Sequence, residues 1–274
     1  MKIREEFWLR DRVKVIIILL LVLIVLLILS GQKPERKEAT IVTFLQTALE
    51  PVGSTMYIWG GGWNDEDSGE GAGATRIGVS PRWKRFARQQ DENYDYKKYL
   101  YHREKGLDCS GYVGWVLYNT FEAESGQSGY VTTSTDLARS LSERGWGELL
   151  QNPDEFLPGD IVSMEGHVWI CLGTCEDGSV LLVHSSPPGV SVCGTSVPEE
   201  YRTKEYDGES LAIDLARKYM AENHPDWQER YPGRSVSDAY LKNVSVFRWD
   251  ESKMKDANEY QMLSGEEVLR RIAN

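Results

Sequence analysis

A chain of 274 residues with 41% hydrophobic and 11% aromatic residues has the material for a full hydrophobic core and is not a disordered polymer. Its net charge of −11 is uneven, because residues 1–40 carry eight Lys/Arg against five Asp/Glu and the rest is acidic. An acidic body argues against nucleic-acid binding, which needs a basic face, and four cysteines in a chain this long do not make a disulfide scaffold.

From Val15 to Leu29 the sequence is an unbroken run of Val, Ile and Leu. With Val13, a snorkelling Lys14 and Ser30 it spans about 27 Å as a helix, close to a hydrocarbon core. No polar face exists, so a buried core helix does not fit. A cleaved signal peptide is the competing reading, but Leu29-Ser30-Gly31-Gln32-Lys33 offers no small-x-small site. The expectation is one transmembrane helix over residues 15–30. Lys2, Arg4, Arg10, Arg12 and Lys14 precede it and only Lys33, Arg36 and Lys37 follow. That bias puts residues 1–14 in the cytoplasm and the body outside. Cleavage would instead release the body as a secreted protein. Residues 31–40 are a polar linker.

Ile41 to Leu49 has apolar residues at helical spacing and ends at Pro51-Val52-Gly53. Met56 to Trp59 is a short element running into Gly60-Gly61-Gly62. Residues 62–107 begin acidic and turn basic, with Arg76, Arg82, Lys84, Arg85 and Arg88 uninterrupted by an acid. They read either as a solvated loop and helix or as a rim contacting an anionic polymer. Their acidic cluster lacks the ligand order of an EF-hand. After Cys109 an amphipathic helix carries Val113, Val116, Leu117 and Phe121 on one stripe, with Asp108 as N-cap. A short helix is expected over Thr135 to Leu141.

Strands follow over Ile161–Met164, His167–Leu172, Val180–Ser185 and Val190–Cys193. They are separated by turn strings such as Leu157-Pro158-Gly159-Asp160 and Pro187-Pro188-Gly189, and their close spacing predicts an antiparallel meander. Leu211–Met220 is expected as a helix and Val244–Trp249 as a last strand. Ser264-Gly265-Glu266-Glu267 resembles a capping box opening a terminal helix in the 251–274 tail.

Cys109 at a helix N-terminus lies where N–H groups and the helix dipole favour the thiolate. If Leu172 pairs with Ser179, His167 faces His184 across the hairpin, with Trp169, Cys171, Val180 and Leu182 on the same face. A nucleophilic thiol, an imidazole to move protons and a polar group to orient it are the parts of a cysteine-protease site. Cys109, His167 and His184 supply them. A zinc site does not fit, since no C-x₂-C pair exists and Cys171-x₃-Cys175 straddles a strand end. Cys171, Cys175 and Cys193 are read as free thiols.

At these residues the chain resembles the NlpC-type cell-wall cysteine peptidases, a papain-like superfamily. The matching strings, in order, are Tyr57-Ile58-Trp59-Gly60-Gly61 and Leu107-Asp108-Cys109-Ser110-Gly111-Tyr112-Val113. Leu157-Pro158-Gly159-Asp160-Ile161-Val162 follows, leading to Gly166-His167-Val168, and Val183-His184-Ser185 closes the set. The resemblance implies an α+β papain-like fold, in which the helix bearing the catalytic Cys packs on an antiparallel sheet, here preceded by one transmembrane helix. The peptidase domain would cover residues 41–250, with 62–107 as an insertion. The implied activity is hydrolysis of peptide bonds in peptidoglycan stem peptides, often next to D-glutamate, through a thioester and without cofactor or metal. Cys109 would be the nucleophile, His167 the base and His184 the third polar residue. Tyr57 would lie beside the thiol, while Asp108 and Ser110 help hold substrate. Two departures from the family are the roughly 46 residues before the Asp-Cys string and the long tail after residue 195. An amidase or acyltransferase on the same site, or a non-catalytic wall-binding assembly protein, are the alternatives.

Overall fold

The computed structural model describes residues 38–202 and 209–272. The expected transmembrane helix at 15–30, the segment before it and most of the linker lie outside those residues. Among the described residues no helix is long and apolar enough to cross a membrane. The expected architecture is therefore corrected at this point: a membrane-spanning helix is not shown as part of the fold.

The described chain is α+β around one curled sheet. Its α-helices are α1 (Ile41–Leu49), α2 (Pro81–Arg88), α3 (Cys109–Phe121), α4 (Leu137–Glu143), α5 (Leu211–Asn223), α6 (Pro225–Arg230) and α7 (Gly265–Ile272). Its strands are β1 (Met56–Tyr57), β2 (Gly106–Leu107), β3 (Gly147–Gln151), β4 (Ile161–Met164), β5 (His167–Thr174), β6 (Val180–Ser186), β7 (Gly189–Thr195), β8 (Ser235–Val236) and β9 (Ser245–Trp249). The sheet runs β2-β1-β7-β6-β5-β4-β9-β3, with β8 also on β7.

A second correction concerns strand direction. The β4 to β7 meander is antiparallel, but β1 pairs with β2 in parallel and β7 with β8 in parallel, so the sheet is mixed. The physical reason is connection length. Parallel neighbours need a long crossover, and the insertion provides one between β1 and β2, while the segment after residue 195 provides another between β7 and β8.

β5 and β6 are buried on both faces. Val168, Ile170, Leu172, Leu181 and Val183 pack with α1 and α3 in the main core. Trp169, Cys171, Val180 and Leu182 form a second cluster with Phe156, Val162, Cys193, Val244 and Val246. α3 is not the amphipathic helix expected, because every residue from Cys109 to Phe121 except Asn119 is buried. Tyr112 Oη donates to Ala48 O of α1 at 2.7 Å, and Trp83 of α2 meets Trp115 edge-on at 6.3 Å. The insertion thus covers a side of α3 that would otherwise face water, and a helix covered all round has no polar stripe to show.

Candidate active site

Cys109 is the first residue of α3 and is 7% exposed. Asp108 caps the helix with extended backbone, its Oδ1 accepting Gly111 N–H at 2.7 Å and Ser110 Oγ–H at 3.0 Å. Its Oδ2 accepts Gly60 N–H at 3.1 Å, and Trp63 Nε1–H donates to Ser110 Oγ at 3.0 Å. The cap therefore ties the thiol turn to the Trp-Gly-Gly turn. Glycines let the two backbones touch: a Cβ on Gly111 would stand 2.0 Å from Gly61 O, and Gly62 has φ +93°. Asp108 and Ser110 border the thiol while their polar atoms hold this frame.

The imidazoles meet. His167 Nε2 lies 2.9 Å from His184 Nδ1, with ring centroids 5.1 Å apart. The strand register behind that contact differs from the expected one. Ile170 pairs with Val183 and Cys171 with Leu182, and a bulge follows before Gly173 pairs with Leu181. His167 and His184 are thus diagonal rather than directly opposed. A shift of two residues keeps side chains on the same face, and diagonal neighbours remain within reach of rings.

Val168, next to His167, presents its backbone N–H to the Cys109 sulfur, as do the N–H groups of Ser110 and Cys109 itself. These favour the thiolate, but burial outweighs them and Asp108 adds to it, so the thiol is pushed up to about 12. The expectation of a lowered thiol pKa is corrected accordingly. Burial also pulls His167 down to about 4. His184 is held well below the usual imidazole range by burial, then by His167 and Arg234. Burial thus pushes the thiol and both imidazoles toward their neutral forms.

A cleft of about 240 Å³ opens at the thiol, lined by Tyr57, Trp59, Trp63, Asp108, Cys109 and Ser110 and also by Thr133, Ser134 and Gly166. Burial raises the Tyr57 hydroxyl well above the usual phenol range, with Cys109 and Asp108 adding to it, which places this side chain beside the thiol. Trp59 is half exposed at the rim.

Sequence reasoning missed two residues of the segment after 195. Tyr240 lays its ring against both imidazoles, 5.5 Å from His167 and 6.1 Å from His184, and its hydroxyl is within electrostatic reach of Cys109. Arg234 is 1% exposed. It donates to Gln228 Oε1 at 2.8 Å and to the carbonyls of Gly233 and Tyr231, and makes no ion pair among the described residues. No local string marks either one; only the tertiary fold brings them to β5, β6 and β7.

All four cysteines are buried free thiols. Among the described residues no group of three or more His, Cys, Asp or Glu is placed to hold a metal. No family model, curated protein or solved structure matches the chain.

Proposed function

We propose that the chain is an NlpC-type cysteine peptidase that hydrolyses peptide bonds in peptidoglycan stem peptides. The observation that carries this reading is the placement of a helix-start thiol, Cys109, against the backbone N–H of Val168, next to His167, whose ring is bonded to His184, with a cleft at the thiol. The reading puts the body outside the cytoplasm, where its substrate is.

In this reading His167 acts as the general base. His167 Nε2–H donates to His184 Nδ1, leaving His167 Nδ1 to take the Cys109 proton as sulfur attacks the scissile carbonyl carbon. The negative oxygen is held by N–H groups of the open first turn of α3. The imidazolium then protonates the leaving amine, the C–N bond breaks and a thioester remains. His167 next takes a proton from water, which attacks the thioester; the C–S bond breaks, the acid leaves and His167 returns the proton to the Cys109 sulfur. His184 fixes the tautomer throughout, and Arg234 favours its staying a neutral acceptor. Tyr57 and Trp59 give the peptide an aromatic wall.

Purified peptidoglycan incubated with the protein should yield muropeptides cut within the stem, read by mass spectrometry, and Cys109→Ala should abolish them. Equal release by Cys109→Ala would refute the assignment. Products cut only at the sugar–peptide link would make the enzyme an amidase.

A further inference from the structure

The insertion forms a second and larger cleft next to the thiol. It runs between α2 and the 63–73 loop, has a volume of about 1010 Å³, and is lined by Arg76, Arg82, Arg85 and Arg103 among others. Trp63 borders both clefts, and its bond to Ser110 Oγ fixes the shared wall to the thiol helix. The two clefts therefore share one indole wall.

The arginines differ in what they hold. Arg103 is taken up by Asp65 Oδ1 at 3.2 Å and Asp67 Oδ1 at 3.0 Å. Arg76, Arg82 and Arg85 are exposed, and their guanidiniums have no ion pair or hydrogen bond among the described residues, although Glu70 and Glu104 line the same cleft. Arg82 and Arg85 are one turn apart on α2 and so project from one side of it. The backbone under them is fixed. Trp83 and Phe86 are buried, Ser80 Oγ caps α2, and Asn119 of α3 accepts Gly78 N–H at 2.6 Å and donates to Arg76 O at 3.0 Å. Preset positions lower the cost of ordering on binding. In a chain of net charge −11, three unneutralised guanidiniums along one cleft are a local exception to its acidity.

We propose that this cleft is a second substrate site that takes free carboxylates of the peptide being cut at Cys109, an inference that rests on the peptidase reading above. The guanidinium fork matches a carboxylate bidentately. Arg82 and Arg85 on α2, with Arg76 on the preceding loop, are the groups that pair. The site selects peptides that carry acid groups beyond the scissile bond, which a neutral peptide cannot satisfy.

The test reads binding on the full chain carrying Cys109→Ala, so that no turnover intervenes. The probes are a purified stem tetrapeptide with free carboxylates and the same peptide amidated. The free acid should bind more tightly. Adding Arg82→Gln and Arg85→Gln should weaken it about tenfold while leaving the amidated peptide unchanged, with thermal melts showing that each variant is folded. Added salt should weaken the free acid alone. Equal affinity for the two peptides, or an unchanged affinity in the double variant, overturns the proposal. So does long-chain polyphosphate displacing the peptide at equal charge, which would make the cleft a dock for a phosphate polymer. A chain that binds as stated but cuts no stem peptide defeats the peptidase reading alone. One that cuts stems yet ignores Arg82 and Arg85 defeats the second site alone.

Discussion

Arg234 has an unusual position for a cation: it is buried, bonded to neutral oxygens, and close enough to His184 to oppose its protonation. Removing that charge makes a proton on the imidazole pair less costly. Arg234→Gln should therefore shift the acid limb of the pH profile of kcat/KM to higher pH. An unchanged limb with lowered stability would make Arg234 a packing residue only. Neither Arg234 nor Tyr240 was legible in the sequence, because each is distant along the chain from Cys109 and sits in a segment without a recognisable motif. The contact of His167 with His184 was legible, since the hairpin pattern already put both on one face. The protonation of Cys109 was not. Helix polarity alone favours a thiolate, yet burial of Cys109 sets the sign, and burial is a tertiary property.

At the scale of elements, the β5–β6 hairpin shows what an alternating pattern does and does not fix. Alternation assigned Trp169, Cys171, Val180 and Leu182 to one face, and they cluster there. The register itself depended on the bulge before Gly173, where φ is +138°, and no string in the sequence announces it. The imidazole contact tolerated the error only because the displacement was an even number of residues. A helix was among the readings of the basic run, but not its bounds, and Trp83 and Phe86 on the inner side of α2 fix them only once α3 is there to receive them. β3 (Gly147–Gln151) was missed as well, since an edge strand that is nowhere fully buried lacks a clear hydrophobic signal.

The Leu-Pro-Gly-Asp string has a separate structural role. Asp160 is fully buried and takes Arg248 of β9 in two bonds, Nη2 to Oδ2 at 2.7 Å and Nε to Oδ1 at 3.0 Å. Breaking such a pair from one side leaves a buried charge without its partner. Arg248→Ala should lose about 3–5 kcal/mol in urea unfolding, while a loss under about 1 kcal/mol would mean that the pair behaves like a surface salt bridge.

For the whole molecule, the insertion and the segment after residue 195 supply walls of the site around a sheet whose meander was expected from sequence. The site also contributes to stability in a pH-dependent way. His167 falls from 6.5 to about 4 on folding. Between those values the unfolded chain binds a proton there that the folded chain does not, so this group's contribution to stability falls as pH falls. Asp108 works in the opposite direction, its carboxyl raised to about 6 chiefly by burial, so a single melting curve against pH mixes the two. The difference between the native chain and His167→Gln cancels Asp108 and leaves His167 together with the part of the His184 shift that His167 causes, which has the same sign. That difference in unfolding free energy should shrink steadily as pH is lowered from 6.5 to about 4. A constant difference would mean that His167 is not buried as a neutral imidazole.

The central claim is that Cys109 forms an acyl-enzyme with a peptidoglycan stem peptide. Rapid quenching of the protein with a purified stem peptide, followed by mass analysis of the fragment containing Cys109, tests it most directly. The expected result is an added mass equal to the peptide less its leaving amine, located on Cys109 and removed by hydroxylamine. Stem cleavage with no adduct on that fragment, or an adduct on Cys171, Cys175 or Cys193 instead, would contradict it.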